Sequence, residues 1–259
     1  MNDSLKKTVG VQKKKYGLKF ISDNDLFNHV KNTVNNYRFD INLEKFNKNL
    51  IDPIKLNFDA RIYGKDIPSI IELEVIRQLD KSNNNLIGYF HQNIFNYIGS
   101  GWSVPKEGWD IIHEGKKIYV EMKNKHSTMN SSSSKNTYIR MSDQLAKDRE
   151  ATCILVEVIA TNSQNISWEI TIDKKKVSNE NIRRASIDKF YELVTSERLA
   201  FKLLCEVLPK VIGDVVSEID LVDESNTVVS ELKEISPNLL KSLYLLSFNK
   251  YEGFDHFDV

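Results

Sequence analysis

The chain is 259 residues long, with 36 Lys and Arg against 36 Asp and Glu, 41% hydrophobic residues and 28% charged ones. That length and balance allow a sizeable core and exclude a disordered tail, a collagen-like chain and a disulfide-stapled mini-protein. The two cysteines, Cys153 and Cys205, lie in the apolar runs CILVEV and LLCEVL without metal-ligand spacing, and are expected as small buried thiols in a reducing compartment.

The first residues, MNDSLKKTVGVQKKKYGLKF, are charged and contain no apolar h-region. No uncharged apolar run approaches the ~20 residues that cross a bilayer, so a cytoplasmic protein with no membrane partner is expected. Zero net charge conceals an asymmetry: residues 1–20 carry six lysines and one aspartate, 114–150 eight bases and five acids, and 190–259 thirteen acids and six bases. A locally basic cleft can hold an anionic ligand on a neutral protein; a solvated charged face is the alternative.

Residues 1–60 are polar and Asn/Lys-rich, and read as mixed helix and loop. From Ile67 the pattern turns helical, IPSIIELEVIRQLD, with Pro68 in the first turn, where its missing N–H costs little. SNNN at 82–85 reads as a break, followed by a second helix, LIGYFHQNIFNYIG, ending at Gly99. WDII (109–112) and KIYVEMK (117–123) have strand character, and Glu114-Gly115 between them suits a hairpin turn that would leave His113 exposed. Residues 124–136 form a polar loop and 137–150 a helix. CILVEVIA (153–160) is a continuous apolar strand, expected at the centre of a sheet covered on both faces, and SWEITID (167–173) is another strand. Helices are expected at 179–195 and 197–219, the second kinked at Pro209, and again at NLLKSLYLLSF (238–248). The order predicts an α/β or α+β fold with a central mixed β-sheet flanked by helices.

Chemistry concentrates in KIYVEMK. Side chains alternate along a strand, so Ile118, Val120 and Met122 point into a core while Tyr119, Glu121 and Lys123 share the opposite face. Asp110, across the turn, would add a second carboxylate. Two carboxylates and a carbonyl oxygen suit Mg²⁺, with waters completing the octahedron. Such a site suits phosphodiester hydrolysis, with the ion polarising the phosphate and Lys123 orienting the attacking water. The loop that follows offers donors to a polyanion, among them Lys125, His126, Asn130, Ser131, Ser132, Ser133, Ser134 and Lys135.

The pattern acid-x-Lys occurs four times, as Glu114/Lys116, Glu121/Lys123, Asp173/Lys175 and Glu231/Lys233. The first falls in a turn and the last in a helix. Asp173/Lys175, with Glu157 upstream, stays a rival on spacing alone, and a surface ion pair is the other reading of Glu121/Lys123.

The stretch WDIIHEGKKIYVEMKNKHSTMNSSSSK resembles the active-site region of PD-(D/E)XK nucleases, as Asp110…Glu121-x-Lys123, with Trp109 where a proline is usual. More closely, IGYFHQNIF, EMKNKH and TMNSS resemble the type II restriction endonucleases that recognise GGNCC, over about residues 66–150. The resemblance implies Asp110 and Glu121 as metal ligands, Lys123 as the catalytic lysine, and a further glutamate from the preceding helix, for which Glu72 and Glu74 are the candidates. Glu74 falls among Ile67, Ile70 and Ile71, on the face expected to meet the sheet, and is chosen; a solvated helix glutamate is the other reading. The resemblance does not extend into the first 60 residues or the acidic C-terminal part; the whole chain is expected as one restriction-endonuclease-like domain over 1–259, with an N-terminal extension at 1–60, a catalytic core at 66–175 and a helical part at 179–259. The expected activity is Mg²⁺-dependent cutting of double-stranded DNA at GGNCC, leaving 5′-phosphates, by a homodimer whose functional partner is a DNA methyltransferase. A nuclease of repair or recombination without site preference, or a non-enzymatic DNA-binding module, would be the alternatives.

Overall fold

The computed structural model describes residues 15–126, 128–219 and 226–250. The chain divides into two compact units, residues 1–34 with 88–218 and residues 35–87 with 219–259.

The first unit is built on a six-stranded mixed sheet. Its strands are β1 (Trp102–Ser103), β2 (Ile111–His113), β3 (Ile118–Lys125), β4 (Thr152–Ile159), β5 (Asn165–Ser167) and β8 (Ile182–Ser186), in the order β1-β2-β3-β4-β8-β5. β3, β4 and β8 run parallel, and the remaining neighbours are antiparallel. β6 (Ile170–Ile172) and β7 (Lys175–Val177) form a separate hairpin. β3 reaches β4 through helix α5 (Ser131–Lys147), the crossover that a parallel pair requires. Tyr138 and Met141 of α5 pack on Cys153, Leu155 and Ile182, so one face of the sheet is covered by α5. Helix α6 (Ile187–Thr195) packs on β4 and β8, and α7 (Ala200–Val216) packs on α6. Helix α1 (Asp23–Asn35) is joined to this unit by buried His29, whose Nε2 lies 2.9 Å from the Phe90 carbonyl.

The second unit is helical. It holds α2 (Leu43–Asn47), α3 (Pro53–Tyr63), α8 (Val228–Ile235) and α9 (Leu239–Phe248) around a core that includes Phe46, Leu56, Ile71, Val75, Leu232 and Leu243. Asp52 caps α3, accepting from the N–H groups of Ile54 and Lys55, with Pro53 at the first helical position. Asn238 caps α9 in the same way.

Several expectations are corrected. SNNN does not break a helix: α4 (Ile67–Asn93) is continuous through it. Exposed Asn residues cost a helix only a few tenths of a kcal/mol each, and two of these have partners: Asn83 bonds the backbone of Arg38 and Asn84 bonds Asp80. The serine run is not loop but the first turn of α5, because the Asn130 side chain accepts from Ser133 N–H and starts the helix there. His113 is buried rather than exposed; its Nδ1 accepts from Lys116 N–H at 3.2 Å and its ring packs edge-on against Trp102. The left-handed residue of that turn is Lys117, not Gly115. The expected strand at 167–173 is divided between β5 and β6, and the N-terminal part of the expected helix at 179–195 is strand β8. Cys153 is buried, but Cys205 is exposed on α7. Most of the lysines of residues 1–20 lie outside the described residues. Among the described residues, no helix is long and apolar enough to cross a membrane.

Candidate active site

The site is set by the β2–β3 hairpin. Its register pairs Ile111 with Val120, and continuing it by one residue brings Asp110 alongside Glu121. Asp110 is tied down at two points: its N–H donates to Val120 O at 3.0 Å, and its Oδ2 accepts from Met122 N–H at 2.7 Å. Alternation along β3 buries Ile118, Val120 and Met122 and leaves Tyr119, Glu121 and Lys123 less buried, as the pattern predicts. Glu121 and Lys123 therefore stand side by side, Lys123 Nζ donating to Glu121 Oε1 at 2.6 Å.

Arg140 of α5 completes the cluster. Its guanidinium donates to the other Glu121 oxygen and lies over the Trp109 ring at 4.3 Å, a stacking geometry that favours Arg over Lys. Trp109, in place of a proline, thus steadies the cation that neutralises Glu121. Burial pushes the Asp110 carboxyl above its usual range, with the charge of Glu121 adding to it; the Met122 N–H bond and the positive charges of Lys123 and Arg140 work against this.

Among the described residues no three His, Cys, Asp or Glu side chains gather as a metal cage. The acidic groups here are two carboxylates, which suit a hard cation that keeps several of its waters. Beside Lys123 opens a recess lined by Thr128, Met129, Ser133, Asn136 and Thr137, where an extended anion could lie against hydroxyl and amide groups.

The other expected site residues at and beyond the end of β3 belong to the same unit as the hairpin, and Glu74 belongs to the helical unit. Lys125 is exposed at the end of β3, and Ser131 and Ser132 are exposed in the first turn of α5. Asn130 is used as the α5 cap, and Lys135 pairs with Asp173 at 2.9 Å. Glu74 is buried on α4 among its own unit's residues, where Arg77 donates to both of its oxygens and Gln78 to Oε1. The rival pair is not assembled: Asp173 sits in the β6–β7 turn with its side chain 82% exposed, and Glu157 is engaged by Arg184.

Sequence reasoning missed Arg140, Arg184 and the partnering of Glu157. The one usable signal was a lone glutamate in an otherwise apolar strand, which has to meet a counter-charge from a neighbouring strand.

A family model for the Eco47II restriction endonuclease matches residues 18–217. The type II restriction enzyme Sau96I of Staphylococcus aureus is 31% identical over 209 residues, spanning 76% of this chain and 80% of that enzyme. The type II restriction enzyme Eco47II of Escherichia coli is 29% identical over 214 residues, spanning 78% of this chain and 89% of its own. Every residue of the hairpin cluster falls within the matched region.

Proposed function

Because the chain belongs to the Eco47II restriction endonuclease family, and is thereby a type II site-specific deoxyribonuclease, we propose that Asp110, Glu121 and Lys123 form its cleavage site. The observation that carries this is the hairpin itself, which holds two carboxylates and an ammonium together on one sheet face, beside a recess lined by polar groups.

The family implies a divalent cation, which we take to be Mg²⁺, held by Asp110 and Glu121 with the Met122 carbonyl. When bound, it supplies positive charge at the scissile phosphate. Lys123 then exchanges its bond to Glu121 for one to the attacking water, orienting it in line with the P–O3′ bond. The new P–O bond forms as that bond breaks, leaving a 5′-phosphate and a 3′-hydroxyl. Arg140 stabilises charge at the same carboxylate and keeps the cluster from being a bare pair of acids. Lys125, His126, Asn130, Ser131, Ser132 and Lys135 face DNA in this reading, through phosphates and base edges.

We take the recognition site to be GGNCC. Cutting a near-palindromic site on both strands calls for a two-fold homodimer, and protecting the host's own copies calls for a cognate DNA methyltransferase. Sharing its DNA sites with that methyltransferase would have the enzyme act in the cytoplasm.

The test is digestion of unmethylated phage DNA with Mg²⁺, beside Lys123→Ala and an EDTA control. Discrete fragments with GGNCC at their ends are expected. Lys123→Ala should lose on the order of 10²–10³-fold in rate, the scale of removing one transition-state donor, and EDTA should abolish cutting. Undiminished discrete fragments from Lys123→Ala would sink the assignment of the site. A smear from the wild type would point to a nuclease without site preference.

A further inference from the structure

Across the β3–β4 ladder, the residue directly opposite Lys123 is Glu157. Its side chain is 0% exposed, although it shares the sheet face with Glu121 and Lys123. Arg184, which β8 presents on the same face, donates to both carboxylate oxygens: Nε–H to Oε2 at 3.1 Å, and Nη2 to Oε1. A buried ion pair adds little net stability, since desolvation offsets the attraction. What it fixes is geometry.

The third member is His126, three residues beyond Lys123. Its backbone N–H donates to Ile159 O at 3.0 Å, extending the β3–β4 ladder. Its Nδ1 lies 2.8 Å from Arg184 Nη2 and 3.1 Å from Glu157 Oε2. A guanidinium can only donate and a carboxylate can only accept. Nδ1 therefore faces one neighbour of each kind, and the shorter contact is to the donor. With Arg184 donating into the Nδ1 lone pair, the neutral ring carries its hydrogen on Nε2. The side chain is 40% exposed, so Nε2–H is its polar group left for a ligand. A phosphate oxygen, which only accepts, matches that donor.

We propose that Glu157 and Arg184 are positioning residues that hold His126 as a donor to a DNA backbone phosphate flanking the scissile one. This rests on Asp110, Glu121 and Lys123 being the cleavage site. The buried carboxylate pins the guanidinium, the guanidinium selects the tautomer of the imidazole, and the imidazole meets the DNA. Neither Glu157 nor Arg184 touches substrate.

The experiment measures binding of the full-length protein to a duplex carrying the mapped site, with Ca²⁺ in place of Mg²⁺. Each phosphate near the cut is replaced in turn by an uncharged methylphosphonate. The wild type is expected to lose about tenfold in affinity at one flanking phosphate, the scale of one hydrogen bond to a charged group. His126→Ala should bind the unmodified duplex about tenfold more weakly and be indifferent to that replacement. His126→Gln, whose amide N–H can stand in for Nε2–H, should recover part of the loss. Glu157→Gln should weaken binding similarly, and adding it to His126→Ala should cost nothing further.

Wild-type affinity in His126→Ala would overturn the proposal even if Glu157→Gln failed to fold. A His126→Ala loss that left every methylphosphonate effect intact would mean a base-edge contact, which also overturns it. Additive losses in the double variant would mean that Glu157 acts only on the fold. Cleavage by Lys123→Ala would instead defeat the site assignment on which the proposal rests.

Discussion

At Asp110, stability and function pull in opposite directions. Its carboxyl is held above the usual range chiefly by burial. A raised carboxylate pKa means that the folded, metal-free protein binds a proton more readily than the unfolded chain does, so ionisation works against folding. The penalty is absent below the unfolded value of about 4, grows as pH rises through the folded value, and is complete above it. Asp110→Asn removes the charge and can keep an acceptor for Met122 N–H. In EDTA at neutral pH this variant should melt at or above the wild-type temperature, with the difference vanishing below about pH 4. Its cleavage should fall on the order of 10²–10³-fold, as expected when several kcal/mol of transition-state stabilisation are lost. A lower melting temperature at neutral pH would show that the carboxylate is a structural group.

Elements differ in how openly their residues announce them. The β2–β3 hairpin was legible because period-two alternation sorts Glu121 and Lys123 from Ile118, Val120 and Met122 without reference to anything distant. β4 was legible as a central strand from its unbroken apolar run, and it lies between β3 and β8. β8 was hidden because two of its five residues are arginines, and one of them owes its place to Glu157, a partner on another strand. α8 was expected only as the helix that holds Glu231 and Lys233, without bounds; its helical face is completed by Leu243 and other residues of its own unit's core. Arg140 could be read as a solvated helix residue until α5 was placed over the sheet. In each case the missing term is a tertiary contact rather than a local preference. α4 shows the reverse error, since weak breakers in series do not end a helix that is otherwise supported. Gly88 lies inside α4 with nothing within 4 Å of where a Cβ would stand. Gly88→Ala should therefore stabilise the protein by roughly 0.5–1 kcal/mol, a rise of about 1–4 °C in Tm. A fall in Tm would mean that this position needs the freedom of glycine.

For the whole molecule, zero net charge does not describe the segment that holds the cluster. Residues 114–150, which supply β3, α5 and the recess beside Lys123, carry eight Lys and Arg against five Asp and Glu, a formal +3. Binding to DNA is governed by the charges near the phosphates, because beyond a Debye length of about 10 Å at 0.1 M salt exposed charges are largely screened. A neutral protein with a basic excess in the segment around its proposed cleavage site should therefore bind DNA with a steep salt dependence. If about five phosphates are neutralised, the logarithm of the binding constant falls with a slope near −4.5 against the logarithm of salt concentration. Raising salt from 50 to 200 mM would then weaken binding on the order of 10²–10³-fold. The measurement is a titration of the Ca²⁺-loaded protein with its cognate duplex at four or five salt concentrations. A slope shallower than about −1 would mean that the balance over the whole chain, rather than the local excess, sets the field that DNA meets.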